Sequence, residues 1–133
     1  MSAHELKIRV YYADTDAEGI VYYANYLRFA EYGRTEMMRD FGFEHAKMFN
    51  ETGTGLVVAN ANISYKSPAK LDDFLTIKSK ITHIGGASMK MQQSVYREAD
   101  LLTEIEVTLV CVDKELRAVR LPQEIRTIFE KDM

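Results

Sequence analysis

The sequence has a single cysteine, Cys111, among 133 residues. No internal disulfide can form, and this cysteine lies in an apolar run expected to be a strand, where it packs as a small hydrophobe. A reducing cytoplasm is the expected location. No apolar run approaches the roughly 18–20 residues that cross a bilayer. The opening Met1-Ser2-Ala3-His4-Glu5-Leu6-Lys7 has neither the basic start nor the apolar stretch of a signal peptide. Excess positive charge is missing too. The formal net charge is -3, which gives no global attraction to nucleic acid or to an anionic membrane. An anionic ligand has to be met by a local cluster; Lys66-Ser67-Pro68-Ala69-Lys70 is one candidate, set against two solvated lysines flanking a turn. There is no internal repeat, low-complexity tract or linker. A Gly-x-Ser-x-Gly elbow and a phosphate-binding glycine loop are absent, which removes serine-hydrolase and nucleotide-hydrolase readings. His4, His45 and His83 have no acidic or cysteine partner at metal-ligand spacing, so no metal site is expected.

What is present reads as one globular domain over residues 1–133, 47% hydrophobic and 28% charged. Leu6, Ile8, Val10 and Tyr12 alternate with Glu5, Lys7, Arg9 and Tyr11, the period of a half-buried strand. From about Ala24 to Phe41 the period changes. Tyr26, Phe29, Ala30, Gly33, Met37 and Phe41 recur at three- and four-residue steps, as on a helix face, and Gly42 is placed to stop it. Gly33 costs about 1 kcal/mol relative to alanine in mid-helix, which close approach of the helix to a sheet would explain. Glu31, Arg34 and Glu36 read as a charged face or an interface network. Leu56–Tyr65 is expected as a strand with Val57, Ala59, Ala61, Ile63 and Tyr65 on one face. Phe74–Ile81 follows, then a Gly85-Gly86 hairpin turn, Ser88–Arg97 and Leu101–Val112. The last of these becomes apolar on both faces, as if covered by the helix on one side and by another subunit on the other. A short strand at Arg117–Arg120 and a C-terminal helix opening at Pro122, with Ile125, Ile128 and Phe129 inward, complete an α+β, antiparallel plan.

Between the first strand and the long helix lies a loop carrying Asp14, Asp16 and Gly19. A carboxylate beside the unsatisfied N–H groups that open a helix can bind an oxygen while it attacks or activates water. That chemistry points to hydrolysis rather than to simple binding. Asp14 reads as a turn or cap residue, and Asn25 as the helix N-cap.

The run Tyr12-Ala13-Asp14-Thr15-Asp16-Ala17-Glu18-Gly19-Ile20-Val21-Tyr22-Tyr23-Ala24-Asn25-Tyr26 resembles the signature of the hot-dog-fold acyl-CoA thioesterases. The branch it is most similar to is the 4-hydroxybenzoyl-CoA thioesterase-like enzymes encoded beside the Tol–Pal envelope genes. Arg34-Thr35-Glu36, Ser67-Pro68-Ala69-Lys70-Leu71-Asp72-Asp73 and Cys111-Val112-Asp113 extend the likeness over nearly the whole chain. The resemblance implies a long central helix wrapped by a five- or six-stranded antiparallel sheet. It also implies subunit pairing, as a dimer or a dimer of dimers, with active sites at the interface. The substrate would be an acyl-CoA, with acyl carrier protein as a further partner, and no cofactor would be needed beyond the CoA that belongs to the substrate.

On this resemblance Asp16 matches the catalytic carboxylate, acting as nucleophile through a mixed anhydride or as general base for water. A free aspartate titrates near ~3.9 and is a poor base at neutral pH, so direct attack or a dry site is the easier chemistry. Gly19 would allow a positive φ and close backbone approach to the thioester. Tyr23, seven residues after Asp16, stands where the resemblance places the backbone N–H that polarises the thioester carbonyl. Tyr12 matches a pocket tyrosine or is a packed strand aromatic. Relatives often carry histidine at the position of Tyr23, which weakens any proton-transfer role for that side chain and leaves its N–H untouched. Two rivals remain: a module that binds acyl-CoA or acyl carrier protein with little hydrolysis, and a dehydratase or hydratase of 3-hydroxyacyl thioesters. The second is disfavoured because no histidine stands near Asp16.

Overall fold

A computed structural model describes residues 3–133. The first two residues of the N-terminal stretch and of the 1–133 span read above lie outside the described residues. The chain runs β1 (His4–Arg9), α1 (Asn25–Asp40), α2 (His45–Thr52), β2 (Gly55–Tyr65), β3 (Phe74–Ile84), β4 (Ser88–Arg97), β5 (Asp100–Val112) and α3 (Gln123–Asp132). The five strands form one antiparallel sheet in the order β1-β3-β4-β5-β2. β3, β4 and β5 are a meander, while β2 crosses over to pair with β5 and leaves its other side open at the edge.

Alternation fixes the inner face of the sheet. Leu75, Ile77, Ser79 and Ile81 on β3, with Met89, Met91, Gln93 and Val95 on β4, are all buried. Against them lies the apolar stripe of α1, with Tyr26, Phe29, Ala30, Gly33 and Met37 buried. Gly33 marks the point of closest approach. A Cβ there would stand 2.9 Å from Ile77 Cγ2, 3.0 Å from Ser79 Oγ and 3.2 Å from Gln93 Nε2. The helix ends at Gly42, whose φ of 93° supplies the left-handed turn. α3 closes the end of the core by setting Phe129 against Phe41 and Phe43.

Several local expectations are corrected. Tyr12 is not the end of a strand: β1 stops at Arg9, and Tyr12, 80% exposed, opens a one-turn 3-10 helix, Tyr12–Asp14. β2 does not keep one face, because its register to β5 shifts between Val58 and Asn60. This bulge at Ala59 puts Leu56 and Val58 opposite inward Cys111 and Leu109, and Val57 opposite Val110 instead. The expected strand at Arg117–Arg120 is a single bridge, Val112 to Ala118. That segment covers the end of β5, so Cys111 and Val112 are both buried by the chain itself. α2 had no counterpart in the sequence reading.

Candidate active site

Residues 14–22 form a small hairpin rather than an open loop. Tyr22 N–H donates to Asp14 O (2.9 Å), Thr15 bridges Val21, and Asp16 N–H donates to Ile20 O (2.9 Å). The turn closes through Gly19 N–H to Asp16 O at 3.1 Å, and Gly19 has φ 78° as expected. Nothing lies within 4 Å of a Cβ added at Gly19. The requirement for glycine here is therefore one of backbone conformation, not of space.

The hairpin is held from two sides. Val21 N–H donates to Ala69 O (2.8 Å) and Leu71 N–H to Gly19 O (3.1 Å), while Ala69 N–H donates to the hydroxyl of buried Tyr26 (3.0 Å). The 66–73 segment is fixed in turn by Asp73, which accepts from Arg97 Nη1 and Lys70 N–H, both at 2.8 Å. Burial works to raise the proton affinity of Asp73. The Arg97 and Lys70 hydrogen bonds and charges outweigh it and hold the carboxyl below the usual aspartate range.

Asp14 is structural. One carboxylate oxygen accepts from Tyr11 N–H (2.9 Å), and the other accepts from Asn25 Nδ2 (3.2 Å). Asn25 is accordingly not the N-cap. It is the first residue of α1, it follows Ala24 at the cap position, and its side chain ties the helix to the hairpin. With no side-chain cap, the helix entrance keeps donors free. Among the described residues, the N–H groups of Tyr23 and Ala24 give no hydrogen bond.

Asp16 is partly buried near the hairpin tip. Its Oδ1 accepts from Glu18 N–H (2.9 Å), and among the described residues Oδ2 accepts nothing. Tyr23 stands at the hairpin base and lines a recess of about 320 Å³ with Val21, Tyr26, Tyr65, Lys66 and Pro68. Tyr65 donates its hydroxyl to Tyr23 O at 3.2 Å, and burial lifts the Tyr65 phenol above its ordinary range, so it remains a donor at neutral pH. The structure thus sets Asp16, Gly19 and Tyr23 on one braced ribbon. Tyr12 is separate, beside Arg9, Leu71 and Asp72. Asp16 lines neither recess. Among the described residues no group of three or more His, Cys, Asp or Glu side chains could hold a metal ion.

Of the two readings given for Arg34, a charged face or an interface network, the exposed face does not hold. Arg34 is 8% exposed, and Nη1 donates to Gln93 Oε1 (3.0 Å). Gln93 Nε2 donates onward to Ala30 O and Ser79 Oγ, both at 2.8 Å. Arg34 follows Ala30 by four residues and precedes Met37 by three, so helical geometry turns it inward. Gln93 likewise interrupts the inward series Met89, Met91, Val95. A polar residue inside an apolar period was the signal available for this network. Glu36, by contrast, pairs with Arg39 on the surface.

A sheet curled over one long helix, with an acid-bearing hairpin at the helix entrance, defines a class of thioester-handling proteins. The chain belongs to the Thioesterase-like superfamily, whose family profile matches residues 10–129, and its fold is the hot-dog fold. Within that family it is 40% identical over 126 residues to the acyl-CoA thioester hydrolase YbgC of Escherichia coli, covering 93% of each chain. It is 37% identical over 123 residues to the acyl-CoA thioesterase YbgC of Haemophilus influenzae, covering 92% of this chain and 90% of the relative. Among solved structures, the probable thioesterase from Bartonella henselae superposes with a TM-score of 0.87 at 36% identity, over 91% of this chain and all of the other.

Proposed function

We propose that the protein hydrolyses acyl-CoA thioesters to the free acid and coenzyme A, with Asp16 as the catalytic carboxylate. The observation that carries this reading is the pairing, on one rigid hairpin, of an unengaged carboxylate oxygen with an unengaged backbone donor. Asp16 Oδ2 and Tyr23 N–H are both without partners among the described residues. The thioester carbonyl oxygen would take the Tyr23 N–H, where the start of α1 adds its positive end to stabilise the developing oxyanion. Asp16 would either attack the carbonyl carbon and expel CoA thiolate, leaving an anhydride for water to open, or take a proton from water as it attacks. Both routes consume one water, release acid and thiol, and need no cofactor. Lys66, beside the Tyr23 recess, is a cation available to the phosphates of CoA. Tyr12, exposed and apart from that recess, serves at most at the outer margin.

The active unit is proposed to be a cytoplasmic homo-oligomer paired through β2. That strand is eleven residues long, its outer edge is unpaired, and Val57 and Val58 are 41% and 50% exposed. Such an edge recruits another strand unless it is covered. No helix among the described residues is long and apolar enough to cross a membrane.

The test is thiol release, followed with Ellman's reagent, over short, long and aromatic acyl-CoAs. Turnover of at least one class is expected. Tight binding without release from any of them would replace hydrolysis by the binding-module reading.

A further inference from the structure

We propose that Tyr65 is a positioning residue for thioester hydrolysis: its hydroxyl holds the Tyr23–Ala24 peptide so that Ala24 N–H stands beside Tyr23 N–H as a second donor to the oxyanion. This role rests on hydrolysis at Asp16 and deepens that reading by one side chain.

The peptide groups at the entrance of α1 face one way. Tyr22 O accepts from Asn25 N–H at 2.8 Å, Tyr23 O from Tyr26 N–H at 3.4 Å and Ala24 O from Leu27 N–H at 3.2 Å. All three carbonyls therefore point down the helix. In a planar trans peptide the N–H lies opposite the C=O. Tyr23 N–H, which shares a peptide with Tyr22 O, and Ala24 N–H, which shares one with Tyr23 O, accordingly both point out of the entrance. The two peptides are not held alike. The bond to Tyr22 O is of ordinary length, whereas the 3.4 Å at Tyr23 O lies beyond the usual range of roughly 2.7–3.2 Å. Tyr65 makes up the difference, donating its hydroxyl to Tyr23 O at 3.2 Å.

The Tyr65 ring is placed independently of that bond. Tyr65 is the last residue of β2, paired with Thr103 of β5, and its ring meets that of buried Tyr26 edge-on at 5.5 Å. The Tyr26 hydroxyl serves Ala69 N–H. Among the described residues, Tyr23 O is the acceptor that the Tyr65 hydroxyl meets. A hydrogen bond on a peptide carbonyl polarises the whole amide and makes its N–H a better donor. The phenol thus acts on the oxyanion through the backbone, by aiming and strengthening Ala24 N–H.

The test is steady-state hydrolysis of the best acyl-CoA by wild type, Tyr65→Phe and Asp16→Asn, with ¹³C and ¹⁵N spectra of the first two. Phenylalanine keeps the ring against Tyr26 and removes only the hydroxyl. Tyr65→Phe is expected to lower kcat about 10-fold with KM unchanged, less than the ~100-fold or more that loss of an entire oxyanion donor costs. In that variant the Tyr23 carbonyl ¹³C and Ala24 amide ¹⁵N resonances should both move upfield while the Tyr22 carbonyl stays in place. A general loosening of the fold would not give that pattern. Wild-type kcat in Tyr65→Phe, where Asp16→Asn has lost turnover, would overturn the positioning role and leave the hydrolytic reading standing. A defect confined to KM, or a loss of kcat with the Tyr23 carbonyl unmoved, would do the same. Full turnover in Asp16→Asn, or none in wild type, would overturn both.

Discussion

At the scale of single residues, the hairpin separates what a side chain does from what the backbone does. The proposed oxyanion donor is the Tyr23 N–H, which no side-chain substitution other than proline removes. Tyr23→Phe is therefore expected to keep kcat for acyl-CoA close to wild type, and a large loss in steady-state assays would transfer the role to the phenol. Asp73 gives a pH-dependent expectation. Its carboxyl is held below the ordinary aspartate range by Arg97 and Lys70 against the opposing effect of burial. A depressed folded-state value stabilises above the unfolded value of ~3.9 and is lost as pH falls through the folded one. In thermal denaturation from pH 6 to pH 2, wild type should lose its advantage over Asp73→Asn only below about pH 4. A constant difference across that range would remove the ion pair as its cause. Asp14 and Asp16 show how far the sequence could be read at this scale. Their division into structural and unengaged carboxylates follows from spacing and resemblance. The capture of Asn25 by Asp14 required knowing that the loop folds back on itself.

Elements explain why some readings held and others did not. α1 was legible because its stripe runs over four turns and because a mid-helix glycine demands a close neighbour. The Cβ distances at Gly33 identify that neighbour as β3 and β4. Gly33→Ala gains about 1 kcal/mol of helix propensity. Against that, it forces a methyl into fully buried Ile77 and the Gln93 amide, which overpacking data put at ~1–3 kcal/mol. The expected result in urea denaturation is a net loss of up to about 2 kcal/mol; a stabilised variant would show that the helix can lift off the sheet. α2 went unread because only Met48 of its eight residues is buried, so no periodic stripe exists to detect. The β2 face failed for a different reason. A single bulge at Ala59 reverses the parity of every residue before it, and nothing in a run of Val, Ala and Asn announces that shift. Tyr12 continued an apolar alternation that the hydrogen bonds of Asp14 had already ended.

For the whole molecule, the open edge of β2 sets the assembly expectation. Sedimentation velocity at micromolar protein should show a species larger than one chain, and Val58→Lys, a charge placed on that edge, should shift it toward the monomer. A monomeric wild type would contradict the interface. The central claim concerns catalysis, and the measurement that tests it most directly compares kcat for the best acyl-CoA in wild-type and Asp16→Asn protein of equal fold by circular dichroism. The account expects a loss of at least ~100-fold, the lower end of what one acid–base group contributes. Turnover close to wild type in the folded variant would contradict it and move the chemistry away from the hairpin.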